Sequence, residues 1–228
     1  ERTELYKESV PLLSELNYYS PPGREFYFQQ RAVMALAEWV PSFLAAMEQR
    51  TGKTGPFVSA ARRKAELGQT KLTLVVSTRR LLYTAWTDEV IMYWPDAGYT
   101  ILDSNAKRED LLENHYDVVM TSFESLYKNW PLIRALYDPS EIMLIADETI
   151  KIKSPTARRT TAMLAACSEV GYRYLLSGAP VSRLHSDLLP QLMCVDPGLF
   201  GDDYATAMDY FFEFIRDGTM RFRQGRKA

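Results

Sequence analysis

The sequence predicts an α/β protein, a parallel sheet sandwiched by helices, and three observations carry that reading. Short apolar runs rich in Leu, Val and Ile alternate with longer stretches of helical spacing. The runs "KLTLVVS" and "EIMLIADE" are apolar almost without interruption, the pattern of strands covered on both faces. Three runs end in residues with chemistry in them: Thr-Gly-Lys-Thr, Asp-Glu and Ser-Gly-Ala-Pro. In a parallel sheet built by right-handed crossovers, ligands bind beyond the carboxyl ends of the strands.

The elements run in order along the chain. Residues 1–20 read as a helical or irregular extension, punctuated by "SPPG" at Ser20 to Gly23. "QQRAVMALAEWV" has helical spacing and stops before Pro41, and "SFLAAM" is a short strand. Lys53 to Leu67 is a helix closed by Gly68; "KLTLVVS" is a strand, and Leu81 to Met92 a helix. "YTILDS" and "YDVVMTS" are strands with the helix "NAKREDLLEN" between them. "EIMLIADE" is the most apolar strand, "TARRTTAMLAAC" a helix, and "YRYLLSG" the last strand. "HSDLLPQLMC" is a helix expected to break at its proline. An aromatic helix and a basic tail close the chain. No internal repeat or low-complexity tract interrupts it.

Composition bounds the function. The 228 residues are 46% hydrophobic and 25% charged, those of an ordinary globular protein. A net charge of −2 gives no global basic field for nucleic acid, although a local patch is compatible with it. Cys167 and Cys194 are far apart, and with His115 and His185 they form no metal-ligand pattern, which speaks against zinc. Sparse cysteine suits a reducing cytoplasm, the expected location. No apolar run reaches membrane-spanning length and no signal peptide is visible, so no membrane partner is expected. A chain that starts at Glu1 rather than Met suits a fragment of a longer protein.

The stretch "AAMEQRTGKTGPF", Ala45 to Phe57, holds the strongest local signal. A phosphate loop has the pattern G-x-x-x-x-G-K-[ST]; here Met47 stands at the first glycine, while Gly52, Lys53 and Thr54 are present. Such a loop turns tightly so that backbone N–H groups face phosphate oxygens, and the next helix adds its positive end. Lys53 would neutralise the β and γ phosphates, and the Thr54 hydroxyl would bind Mg²⁺. The plain alternative is a solvated turn with an exposed lysine. Placement after an apolar strand and before a helix favours the phosphate loop.

Asp147 and Glu148 end the strand of "EIMLIADETIKIKSP". Acids at the end of a buried strand are costly without compensation, which Mg²⁺ and a bound triphosphate would supply. Asp147 would hold the metal through water and Glu148 would act as general base on the attacking water. Alternatively both acids cap the next helix or face solvent.

In order, these motifs resemble the first RecA-like lobe of superfamily 2 helicases, in the Swi/Snf-like ATPase branch, over roughly Phe26 to Gly201. "FYFQQRAVMAL" resembles the glutamine motif, and "MEQRTGKT" motif I. "LVVSTRRLLYTAWTDEV" is similar to motif Ia, with Trp86 and Glu89 matching its late Trp and Glu. "YDVVMTSFESL" resembles motif Ib, "LIADETIKIKSPTARRT" motif II, and "YLLSGAPVSRLHSDLLPQLMCVDPGLFG" motif III with its continuation. The loosely kept motifs resemble phage or mobile-element members. The resemblance implies a RecA-like P-loop NTPase fold and ATP with Mg²⁺ as cofactors. It places Gln30 against adenine and gives ATP binding to Gln30, Arg50, Thr51, Gly52, Lys53 and Thr54. Catalysis falls to Lys53, Asp147 and Glu148, Mg²⁺ to Thr54 and Asp147, and coupling to Ser177, Gly178 and Ala179. It also implies duplex DNA as partner, touched at its backbone by Thr78, Arg79, Arg80, Thr121 and Ser122. Arginines and small hydroxyl residues suit sequence-independent phosphate contact.

The departures are specific. Motif II of many relatives reads Asp-Glu-x-His, whereas Ile150 stands here and cannot make the hydrogen bonds that link the γ-phosphate site to motif III. Ala179 lacks the hydroxyl of the usual Thr-Gly-Thr-Pro, and Thr78 replaces a proline in motif Ia. After Gly201 only "DDYATAMDYFFEFIRDGTMRFRQGRKA" remains. Arg221, Arg223, Arg226 and Lys227 have no strand–helix alternation around them and read as a linker. The expected organisation is an extension (1–24), one RecA-like lobe (25–201) and a helical extension (202–228) toward a second lobe. The function expected is that of a nucleic-acid-dependent ATPase lobe. The competing readings are a non-catalytic helicase-like binding module and another P-loop phosphotransferase.

Overall fold

The computed structural model describes residues 18–24, 26–48, 51–199, 204–214 and 220–222. The expected extension at 1–17, Arg50, the boundaries at Glu25 and Gly201, and Arg223, Arg226 and Lys227 of the basic tail lie outside them.

Helix α1 (Phe28–Trp39) starts where the Gln30 side chain accepts the Tyr27 N–H, at 2.8 Å, and ends before Pro41 as expected. Strand β1 (Ser42–Ala46) leads through a loop to α2 (Thr54–Glu66). After β2 (Leu72–Ser77), the segments Arg79–Leu81, Leu82–Trp86 and Thr87–Tyr93 run on as one helix, α3, whose middle segment is a π turn. Next come β3 (Tyr99–Ile101), α4 (Asn105–Glu113) and β4 (Val118–Ser122).

Helix α5 (Leu126–Leu136) is one that the sequence pattern does not announce, because Pro131 inside it reads as a breaker. Burial of Leu126, Asn129, Trp130 and Ile133 offsets the lost backbone bond, while Pro131 itself faces outward. Strand β5 (Ile142–Asp147), a 3₁₀ turn (Thr149–Ile152), α6 (Arg158–Glu169) and β6 (Tyr172–Ser177) complete the main alternation. The proline break expected in "HSDLLPQLMC" is present: a 3₁₀ turn (His185–Leu188) gives way to α7 (Leu189–Val195), with Pro190 in its first turn. The aromatic stretch forms α8 (Tyr204–Phe211), then passes into β7 (Phe212–Phe214), which pairs antiparallel with β8 (Met220–Phe222).

The six main strands form one parallel sheet in the order β1-β6-β5-β2-β4-β3. Alternate residues of each strand enter separate cores, as the period of two requires. Leu72, Leu74, Val76, Ile142, Leu144 and Ala146 pack beneath α5 and α6, whereas Val75, Met143, Ile145 and Tyr174 pack beneath α2 and α3. With both faces covered, β2 and β5 are buried along their whole lengths, which explains their unbroken apolar runs.

Register decides which residues meet at the carboxyl edge. Ala46 stands beside Ser177, Asp147 beside Leu176, and Ser77 beside Ser122. The Lys53 loop, the acidic pair and the stretches beginning at Thr78, Ser122 and Gly178 therefore line one edge of one sheet. Among the described residues no helix is long and apolar enough to cross a membrane.

Candidate functional site

The loop after β1 makes its turn at Gly52, whose φ of +63° lies in the left-handed region open to glycine. Gln30 braces that turn. Its Nε2 donates to the Thr51 carbonyl at 3.1 Å and the Gly52 carbonyl at 2.9 Å, while its Oε1 is held by Tyr27 N–H. A Cβ on Gly52 would lie 2.7 Å from that Nε2, so a side chain there would push the Gln30 carboxamide aside as well as strain φ. The residue expected to read adenine is thus engaged on the loop itself. The same carboxamide lines a cleft of about 1190 Å³ with Arg24, Phe26, Gly52, Glu89 and Tyr93. Phe26 and Tyr93 stack there with ring centroids 5.4 Å apart. Burial raises the pKa of the Glu89 carboxyl at the cleft wall above the usual carboxylate range.

Lys53 stands at the N-cap of α2 and reaches across to β5. Its Nζ lies 3.8 Å from Asp147 Oδ1 and 3.6 Å from Glu148 Oε1, with Lys53 8% and Asp147 3% exposed. Two motifs nearly a hundred positions apart in sequence thus share one ionic cluster. Asp147 is held further by the Glu148 N–H on Oδ1 (2.9 Å) and the Trp86 Nε1–H on Oδ2 (3.2 Å). Burial is the largest influence on its carboxyl and raises the pKa, against the lowering effect of the Lys53 charge and the indole.

Glu148 has φ 60° and ψ 47°, and it is the only non-glycine with positive φ among the described residues. That conformation costs about 1–2 kcal/mol for an L-residue. It turns the chain sharply away from the strand axis and aims the carboxylate back at Lys53. Strain of this kind concentrates at functional sites.

A hard divalent cation fits this donor set. Thr54 offers a hydroxyl at the start of α2 and Asp147 a carboxylate, both oxygen donors of the type Mg²⁺ takes with substrate phosphates. Among the described residues no group of three or more His, Cys, Asp or Glu gathers as a metal cage. Mg²⁺ held by one carboxylate, a hydroxyl and phosphates needs no such cage.

The neighbouring strand ends are less uniform. Ser177 is buried at the end of β6 with no partner for its hydroxyl, Gly178 is half-buried and Ala179 exposed. Arg79 and Arg80 are exposed after β2, with Thr78 half-buried. Arg79 Nη2 is 3.4 Å from Asp103 Oδ2, and Tyr83 bonds the same carboxylate. Ser122 is half-buried at the edge. The expectation that Thr121 itself touches a phosphodiester needs correction: it is fully buried, and its hydroxyl accepts from Asn129 Nδ2 at 2.7 Å. Both faces of β4 are covered, so it is position that separates the pair: Ser122 is the last residue of the strand, at the sheet edge, and Thr121 lies one residue inside it.

In the sequence Trp86 matches a motif residue without a role of its own, and Thr149 and Gln191 stand out in no site pattern. Trp86 reaches Asp147 because the π turn adds a residue to α3 and rotates the remainder of the helix, a feature without a sequence signature. Thr149 and Gln191 are both fully buried and bonded to each other, at 2.7 Å. A lone glutamine within the apolar stretch "DLLPQLMC" is the signal that could have marked one of them.

A family model described as the SNF2-related domain matches residues 38–217. No curated protein matches the chain. Among solved structures it is similar to the SWI2/SNF2 ATPase core of Sulfolobus solfataricus in complex with double-stranded DNA. That match has a TM-score of 0.69 and 19% identity, over 86% of this chain and 40% of that one. It is also similar to the SWI2/SNF2 ATPase core domain from the same organism, with TM-score 0.64 and 19% identity, over 86% of this chain and 39% of that one. A third likeness is the UvsW helicase of bacteriophage T4, with TM-score 0.61 and 17% identity, over 83% of this chain and 65% of that one. At these identities the likeness is one of fold, and the fold is the expected RecA-like parallel sheet. The chain spans about two fifths of the length of the two Sulfolobus chains.

Proposed function

The chain belongs to the SNF2-related domain family, and from that premise we propose that it is the ATP-binding lobe of a nucleic-acid-dependent translocase. In this reading the whole protein uses ATP hydrolysis to move along or remodel duplex DNA, with a second RecA-like lobe completing the site. The observation that carries it is the convergence of Lys53 Nζ on both Asp147 and Glu148, at 3.8 and 3.6 Å. A lysine from the loop and two acids from a distant strand have one chemistry in common, that of a phosphate chain with its metal.

In this reading the roles follow from where each residue lies. The turn at Gly52 and the start of α2 present backbone N–H groups to phosphate oxygens. Lys53 takes up the charge of the β and γ phosphates in exchange for its contacts with the acids. Thr54 and Asp147 would hold Mg²⁺, which when bound neutralises phosphate charge and polarises the transferred group. Glu148, freed from Lys53, orients water and accepts its proton. The Arg24–Phe26–Tyr93 side of the cleft would take the base. Arg79, Arg80 and Ser122, at the same sheet edge, suit the backbone of duplex DNA, which is the ligand of one Sulfolobus relative.

Calorimetric titration with Mg·ATP, using Lys53→Ala as control, tests the site. Saturable binding that weakens by about a hundredfold or more in the variant is expected. No binding, or equal binding by both chains, overturns the reading. In the whole protein, DNA should stimulate phosphate release; transfer of phosphate to a small acceptor would indicate a phosphotransferase instead.

A further inference from the structure

The acidic end of β5 and the loop after β6 are fastened together at two points. Glu148 leads directly into Thr149, whose hydroxyl lies 2.7 Å from Gln191 Oε1 and 3.2 Å from the Leu176 carbonyl. Gln191 Nε2 in turn donates to the Pro180 carbonyl at 2.6 Å and the Asp187 carbonyl at 2.9 Å. Every polar atom of that carboxamide is therefore used, and both side chains are fully buried. At the far end of the same 3₁₀ turn, Lys153 Nζ donates to Ser182 Oγ at 2.8 Å.

The loop so fastened is stiff within itself. Asp187 Oδ2 accepts from the N–H groups of Ser182, Arg183 and Leu184 and from Ser182 Oγ, at 3.1, 3.0, 3.3 and 2.8 Å. A segment whose backbone is tied to one carboxylate moves as a body rather than residue by residue. Its outer surface carries Val181 and Leu184, exposed at 38% and 52%. Ile150, at the position where hydrogen-bonding ability is missing, is only half-buried and is not a link in this chain of contacts.

We propose that Thr149 and Gln191 are the positioning pair that carries the state of Glu148 to the Gly178–Leu184 loop, the work for which Ile150 is unsuited. The inference rests on the nucleotide reading above. When phosphate takes Lys53 away from Glu148, the left-handed turn at Glu148 relaxes. Thr149, one residue on, draws Gln191 and the Pro180 carbonyl with it. Lys153 holds the other end of the turn to Ser182, so the loop moves with it as a unit. Both residues act through others and touch no substrate.

Amide hydrogen exchange at Ser182, Arg183 and Leu184, with and without Mg·ATP, tests the pair in the whole chain. In the wild type, saturating nucleotide should change exchange at these amides by about tenfold. In Thr149→Val and Gln191→Leu that response should vanish while nucleotide affinity stays within about threefold. Thr149→Ser, which keeps the hydroxyl, should restore it. Lys153→Met, at a half-buried position, breaks the second fastening without opening the core and should halve the response or more. An unchanged response in Thr149→Val, or in Lys153→Met where the buried variants do not fold, overturns the proposal, as does a wild-type chain that binds nucleotide without any response. A wild-type chain that binds no nucleotide overturns the nucleotide reading and this inference with it.

Discussion

The indole Nε1–H of Trp86 donates to Oδ2 of Asp147 across 3.2 Å, inside the protein and away from solvent. The bond exists because α3 is interrupted by the π turn Leu82–Trp86, in which the Thr87 hydroxyl closes back on the Leu82 carbonyl at 2.7 Å. Without the inserted residue, the ring would face elsewhere on the helix. Trp86→Phe removes the donor together with part of the buried bicyclic ring, leaving a carboxylate oxygen unpaired beside a small cavity. It should destabilise the chain by about 1–3 kcal/mol, measured by urea unfolding. In an Asp147→Asn background the cost of Trp86→Phe should shrink, and a cycle with no coupling would remove the indole from the account of the site.

Asp147 also gives stability a pH dependence whose sign is fixed. Burial raises its pKa in the fold above that of the unfolded chain. Its contribution is therefore most favourable below the unfolded value and is lost as pH rises through the folded value. Asp147→Asn lacks this titration. The unfolding free energy of wild type minus that of the variant should fall as pH rises above the ordinary carboxylate range, measured by chemical denaturation at a series of pH values. A flat difference would mean that Lys53 and the two N–H donors fully offset the burial.

Gly52→Ala meets two obstacles, a φ of +63° and Gln30 Nε2 at 2.7 Å from the new methyl. The backbone alone costs about 1–2 kcal/mol. Nucleotide affinity should drop by more than about tenfold, read by calorimetry. Gln30→Ala should lose affinity too, since the Thr51 and Gly52 carbonyls lose their shared donor. In the double variant the clash is relieved, so the combined loss should be less than the sum of the two.

Arg79 and Arg80 are adjacent but differently placed. Arg79 is paired with Asp103 at 3.4 Å, whereas Arg80 has no ion pair among the described residues. On duplex DNA, Arg80→Ala should weaken binding at every sequence and reduce the slope of log K against log salt by about 1. Asp103→Asn, which frees Arg79 and removes a like charge from the ligand's path, should strengthen binding. Fluorescence anisotropy over a salt series distinguishes these from a general loss of fold.

Much of this arrangement is legible in the residues themselves. Unbroken apolar runs at β2 and β5 announce strands buried on both sides, and Lys53 with Asp147 and Glu148 marks the strand ends where charge needs a partner. The contacts around them are less so. Trp86 meets Asp147 through a helix irregularity that leaves no periodic trace, and α5 is hidden by Pro131 because local propensity is overridden by the packing of Trp130 and Ile133. Thr121 and Ser122 look equivalent in the sequence, and only the exact end of β4 separates the buried hydroxyl from the half-buried one at the sheet edge. Gln30 is recognisable as a residue of the site, but that its carboxamide is spent on Thr51 and Gly52 is a matter of distances.

The strand order also sets a timetable. Within the main sheet β1 has a single neighbour, β6, and Ser42 pairs with Arg173, roughly 130 residues further along the chain. As the polypeptide emerges from the ribosome, β2, β4 and β5 can find one another while β1 still lacks its partner. The segment carrying Lys53 is then anchored at its leading side only when residues up to Ser177 have been made. A nascent chain cut short before that point would already contain the lysine and both acids, yet the strand that leads into the lysine loop would have no neighbour to bring it beside them.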